Sequence, residues 1–129
     1  MDYGFVKTLD VDFAEAEKRV REALAAEGFG VLSEIDVQQA FRNKLDIDYR
    51  PYKILGACNP QLAHRAVDGE PHIGLLLPCN VLVQDNPDGT GTVVSIADPK
   101  AMFRIVANEA VQPVADEAEQ RLRRVLETL

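Results

Sequence analysis

The segment Asn86-Pro87-Asp88-Gly89 lies between two β-type runs, Val81 to Val83 and Thr92 to Ile96, and it constrains the fold more than any other stretch. Asn and Asp side chains hydrogen-bond the local backbone, proline presets φ for a turn, and glycine accepts the exit geometry. A connection this short permits only antiparallel pairing, because parallel strands need a crossover of about a dozen residues or more. Any sheet in this chain is therefore built around an antiparallel hairpin.

The flanking sequence supplies further elements. Tyr3 to Leu9 reads as a strand from its aromatic and β-branched residues. Asp12 then has the position of an N-cap with Glu15 three residues on, and Phe13, Ala16, Val20 and Leu24 follow at helical spacing. Gly28 suits the left-handed position that closes a Schellman ending, with Phe29 folding back on Leu24. Val31 to Ile35 is read as a strand, and Asp36 opens a short helix burying Val37, Ala40, Phe41 and Leu45. Tyr52 to Ala57 is a third strand. Asn59-Pro60 then combines a cap with a first-turn proline, starting a helix with Leu62, Ala63, Ala66 and Val67 that ends near Gly69. The apolar run from Ile73 is expected to reach Pro78-Cys79-Asn80 as a strand that bends there and continues to Val83. Asp98-Pro99 repeats the cap-and-proline signal before a short helix through Met102, Ile105 and Val106. A last helix covers about Pro113 to Leu129, burying Val114, Ala118, Leu122, Val125 and Leu129.

These elements predict one α+β domain over residues 1–129. It is a two-layer sandwich in which helices cover one face of a roughly five-stranded, mostly antiparallel sheet. At 47% hydrophobic residues the chain carries enough apolar side chains for a core without metal or disulfide staples. A net charge of −7 opposes general affinity for nucleic-acid phosphates or anionic lipid, so neither nucleic acid nor membrane is expected as a partner. Met1 to Lys7 lacks the pattern of a signal peptide, and no apolar run is long enough to span a bilayer. A cytoplasmic protein with reduced thiols is the expectation, since two cysteines make no disulfide framework.

Those two cysteines carry the main chemical question. Ile54-Leu55-Gly56-Ala57-Cys58-Asn59 and Leu75-Leu76-Leu77-Pro78-Cys79-Asn80 both run from apolar residues into Cys-Asn. Cys58 precedes an N-cap, where the positive end of a helix lowers a thiol pKa, and Asn59 or Asn80 could donate to a thiolate or a bound oxyanion. Two such units could form a soft metal site, a dithiol pair or a persulfide carrier. The plainer reading is that both thiols are small apolar fillers, Asn59 a cap and Asn80 a bend or bulge residue. His64 and His72 flank the region, and His72 is a further candidate metal ligand beside Cys58 and Cys79, although no zinc spacing is present. Glu34 and Asp36 would share one strand face as a carboxylate pair, with Lys44 and Arg50 near enough in sequence to neutralise them. Arg121, Arg123 and Arg124 are explained as a solvated helix face, with Glu117/Arg121 and Glu119/Arg123 as i,i+4 pairs.

Glu27 to Val37, Pro51 to Pro60 and Ile73 to Val81, with Asp98-Pro99 and Met102, resemble the signatures of the domain-of-unknown-function 302 family. Asp46 stands where that family often has glycine. The resemblance implies a small bacterial or archaeal domain with a fold like that of the TATA-binding protein, commonly a homodimer. It implies no established activity, and an association with sulfur or metal handling in some members. It places Glu34, Asp36, Lys44, Cys58, Asn59, Pro78, Cys79 and Asn80 in motif segments, the positions expected to share a site.

Three functions follow as alternatives. The first is a binding or carrier module whose cleft is built on the two Cys-Asn turns and takes a small anion, a sulfur species or a soft metal. The second is a thiol-dependent reductase or sulfurtransferase with Cys58 as nucleophile and Cys79 resolving. That reading needs the Cα atoms within about 7 Å. The third is a structural homodimer module without chemistry.

Overall fold

The structure, a computed structural model, describes residues 1–129. Its elements in chain order are β1 (Gly4–Leu9), α1 (Phe13–Ala26), β2 (Gly30–Asp36), α2 (Val37–Leu45), β3 (Tyr52–Cys58) and α3 (Pro60–Gly69). A 3-10 turn (Pro71–Leu76), β4 (Cys79–Asp85), β5 (Thr92–Ala97), α4 (Pro99–Phe103), a second 3-10 turn (Glu109–Val111) and α5 (Gln112–Glu127) complete the chain. The five strands form one sheet in the order β1-β5-β4-β3-β2, and every neighbouring pair is antiparallel. The fold is α+β, as the hairpin signal implied.

Local rules explain most element boundaries. Asp12 Oδ1 accepts from the Glu15 N–H at 2.8 Å, satisfying one of the free donors that begin α1. At the other end Gly28 takes φ +84°, its N–H donates to Ala25 O, and the Phe29 N–H donates to Leu24 O. This is the Schellman pattern, and it turns Phe29 into the core at 3% exposure. Lys7 closes α5 by donating from Nζ to Leu126 O and Leu129 O.

Strand alternation divides the sheet into two unlike faces. Phe5, Lys7 and Leu9 of β1, Val94 and Ile96 of β5, Val81 and Val83 of β4, and Leu55 and Ala57 of β3 point towards α1 and α5. With Ala16, Val20, Leu24, Leu122 and Val125 they form the main core. A second cluster joins Leu62, Ile73, Phe103, Val111, Val114 and Ala118, packing α3, α4 and the start of α5 together beyond the sheet's end. On the opposite face only α2 makes extensive contact, along β3.

Several expectations need correction. Residues 71–76 are a 3-10 turn and not a strand, because Pro71 opens a helical turn and Ile73 is its only buried side chain. Asn80 is therefore neither bend nor bulge; it is a regular β4 residue opposite Gly56. α2 buries none of its residues, and Leu45 is 60% exposed, because this helix packs along β3 on the face away from the core. α4 stops at Phe103, leaving Ile105 exposed beyond it, and Leu129 lies past the end of α5, partly buried.

A candidate binding cavity lined by the two thiols

β3 ends at Cys58 where β4 begins at Cys79, and the register sets Cys79 opposite Ala57, one residue from Cys58. Both thiols are free and partly buried. They border one cavity of about 340 Å³ at the end of the sheet, where twelve of sixteen lining residues are hydrophobic. Phe29 and Leu32 close one side, Leu62 and Ala63 of α3 another, and Phe103, Val114 and Ala118 lie across from the strands. Leu77 and Pro78 form a further wall, and beyond it a smaller cavity of about 190 Å³ contains Asn80 and Met102. A volume of this order suits a small molecule.

The local sequence builds this end of the sheet tightly. Gly56 lies under Ser33 and Pro78; a Cβ there would collide with Ser33 Oγ and come within 2.7 Å of Pro78 Cγ. Asn59 caps α3, its Oδ1 accepting from the Leu62 N–H at 3.1 Å, and the residue is only 7% exposed.

The electrostatics differ from the sequence expectation. Burial raises the Cys58 thiol pKa, so desolvation outweighs any help from the start of α3. Burial, and then the nearby Cys58 charge, pushes Cys79 up to about 11. Both thiols are neutral near pH 7. Alternation aims their Cβ atoms towards opposite faces of the sheet, although they meet the same cavity.

The remaining predicted residues lie elsewhere. Glu34 is held by Lys53 Nζ at 2.9 Å and Arg21 at 3.1 Å, and the Lys53 hydrogen bond keeps its carboxyl below the usual range. Asp36 is the α2 cap, accepting from the Gln39 N–H at 2.9 Å, so the two carboxylates form no acid–base pair. Lys44 is exposed on α2, and Arg50 stacks on Tyr49 with its guanidinium carbon 4.6 Å from the ring centroid. The cations that meet Glu34 are thus Arg21 and Lys53, not Lys44 and Arg50. His72 and His64 are exposed and border neither cavity. No group of three or more His, Cys, Asp or Glu gathers where it could hold a metal ion. Sequence spacing had no way to nominate Phe103, Val114 or Ala118, which reach the thiols only through tertiary packing.

Fold and cavity together define a two-layer α+β domain with an apolar pocket at one end of its antiparallel sheet. The comparisons agree with that class. Residues 5–129 match the family described as "Domain of unknown function DUF302", and the chain belongs to that family. A solved structure, the uncharacterized conserved protein DUF302 from Bacillus stearothermophilus, is similar at 28% identity and a TM-score of 0.87. The similarity covers 97% of this chain and 96% of that one. No curated protein matches the chain. No helix is long and apolar enough to cross a membrane.

Proposed function

We propose that this chain is a small-ligand binding module whose site is the cavity between Cys58, Cys79 and Asn59. The observation that carries this reading is an apolar cavity of about 340 Å³ bordered by both cysteines. Its lining contains no Lys, Arg, Asp or Glu, which favours a neutral, largely apolar ligand over a small anion. The thiols supply polarisable contacts, and a soft metal or a sulfur species would have to displace a proton from a thiol whose pKa is raised. The same shift weighs against a reductase or sulfurtransferase working through a Cys58 thiolate. Free thiols suit a reducing cytoplasm, and the charge of −7 disfavours nucleic acid as a partner.

Titration with 2-ethylnaphthalene, followed by amide chemical shifts, tests the reading. Binding is expected to shift Ala57 to Ala63 and Phe103, and to slow alkylation of Cys58 by iodoacetamide. The cavity-filling substitution Ala63→Phe should abolish both effects. Shifts confined to other surfaces, or binding unchanged by Ala63→Phe, would refute the cavity as the site.

A homodimer is a second proposal, and a separate observation favours it. On the sheet face away from α1 and α5, the strands present Val6, Thr8, Val93, Ser95, Ala97, Asn80, Leu82, Gln84, Tyr52, Ile54, Ser33 and Ile35. None of these carries a charge, in a chain where 27% of residues do. Two copies with a charge of −7 repel each other, and this face, over which Arg50 is the one charged side chain that reaches Gln84 and Tyr52, carries no carboxylate on its strands.

A further inference from the structure

β4 and β5 diverge at the cavity end of the sheet. Their ladder stops at Val81 opposite Ile96, so Asn80 pairs with Gly56 of β3 and Ala97 with Gly4 of β1, but not with each other. Beyond this point Asp98 caps α4 and Pro99 begins that helix. The gap left between the strands is bordered by Cys79 and Asn80 on one side and by Ala97 and Pro99 on the other. The cavity of about 190 Å³ touches all four of these residues, and the cavity of about 340 Å³ touches Cys79 and Pro99. Leu77, Pro78 and Phe103 also border both spaces. A side chain with surface on two spaces is the full thickness of the wall between them. Alternation turns Cys79 towards α1 and α5 and Asn80 to the other side, so the gap leads from one face of the sheet to the other.

We propose that the ligand is an unbranched aliphatic chain that runs from the larger cavity through this gap into the smaller one. This deepens the binding-module reading and rests on it. Neither lining contains Lys, Arg, His, Asp or Glu, so methylene groups meet uncharged walls along the whole course. Leu75 lines the smaller cavity and is 88% exposed, more than any other large hydrophobic residue of the chain. An aliphatic chain reaching it removes apolar surface from water that a compact ligand in the larger cavity leaves wet. In the wall, Pro78 and Pro99 are rings with no rotamer to exchange, and Phe103 is 3% exposed. Leu77 is the half-buried aliphatic side chain that can change rotamer and let the ligand past.

Titration with 1-hexanol, 1-octanol and 1-decanol tests this. Wild-type affinity should rise about fourfold per added methylene through 1-decanol, the transfer free energy of one buried CH₂. Bound 1-decanol should shift the amides of Ala57 to Ala63 together with those of Asn80, Ala97 and Met102. Ala97→Leu narrows the smaller cavity and should weaken 1-decanol binding about tenfold, because fewer methylenes are then buried. A thermal melt establishes that this variant is folded, and the wild-type series decides the question where it is not. Affinity that stops rising at 1-hexanol, decanol shifts at one cavity alone, or unchanged 1-decanol binding by folded Ala97→Leu overturns the inference. In each of those cases the cavity reading stands if 2-ethylnaphthalene still shifts Ala57 to Ala63. Binding of neither 1-decanol nor 2-ethylnaphthalene overturns the inference and the cavity reading together.

Discussion

Cys79 shows how a residue's chemistry follows from its surroundings rather than its neighbours in sequence. Its thiol is pushed up to about 11 by burial and by the nearby Cys58 charge. Below the ordinary value of 9.0 the thiol is neutral whether the chain is folded or not, so it adds no pH dependence. Between that value and about 11 the unfolded thiol ionises while the folded one stays neutral, so stability falls as pH rises through this window. The loss is on the order of 2 kcal/mol. Urea unfolding at pH 8 and pH 10.5 should show a steeper decline for the wild type than for Cys79→Ala, and equal declines would contradict the assignment. The Cys-Asn echo located a real convergence in the fold, yet its expected consequence for Cys58 had the wrong sign. Proximity to a helix start is a sequence-local property, and desolvation is set by Leu62, Phe103 and the other walls brought in from elsewhere.

Elements follow local rules, and their ends were readable because caps act over three or four residues. Asp12, Asp36, Asn59 and Asp98 each accept a backbone N–H at the helix start that the sequence marks. The apolar run before Pro78 was misleading for the same reason in reverse. A short hydrophobic stretch does not reveal whether its neighbours will pair with it, and here Pro71 opens a 3-10 turn. The end of α2 offers a direct test. Asp46 closes that helix at φ 54°, a left-handed conformation that favours glycine, the residue the family often has there. Its carboxylate pairs with Arg42 at 3.3 Å, but both side chains are largely exposed, so the pair adds little. Asp46→Gly should raise stability by about 0.5–1 kcal/mol, measured as a higher thermal midpoint, while Asp46→Val should lower it.

At the scale of the whole molecule, the two sheet faces have separate roles. One face is filled by α1 and α5 and forms the core, while the strand side chains of the other carry no charge and Arg50 alone among charged residues reaches over it, to Gln84 and Tyr52. Val6 and Ile35, at its two edge strands, are 48% and 53% exposed, so lysine fits there without disturbing the core. If copies pair through this face, Val6→Lys with Ile35→Lys should turn a micromolar dimer into a monomer by native mass spectrometry, with the thermal melt of the subunit retained. A wild-type chain that is monomeric at that concentration would exclude the pairing. The uncharged face was in principle visible as alternation along each strand, but joining five strands into one surface needed their order. Only β4 and β5 had a connection short enough to settle their pairing in advance.

The opening hairpin marks the boundary between what the two levels decide. Sequence by itself determined the turn at Asn86 to Gly89, the helix caps, the Schellman ending at Gly28 and the antiparallel pairing of β4 with β5. Each depends on backbone groups a few residues apart, where side-chain identity acts directly. The strand order, the cavity with its raised thiols and the joining of five strands into one second face were decided only by tertiary structure. These arise where residues as distant in sequence as Phe29 and Ala118 border one space, and desolvation depends on everything that packs around a group at once.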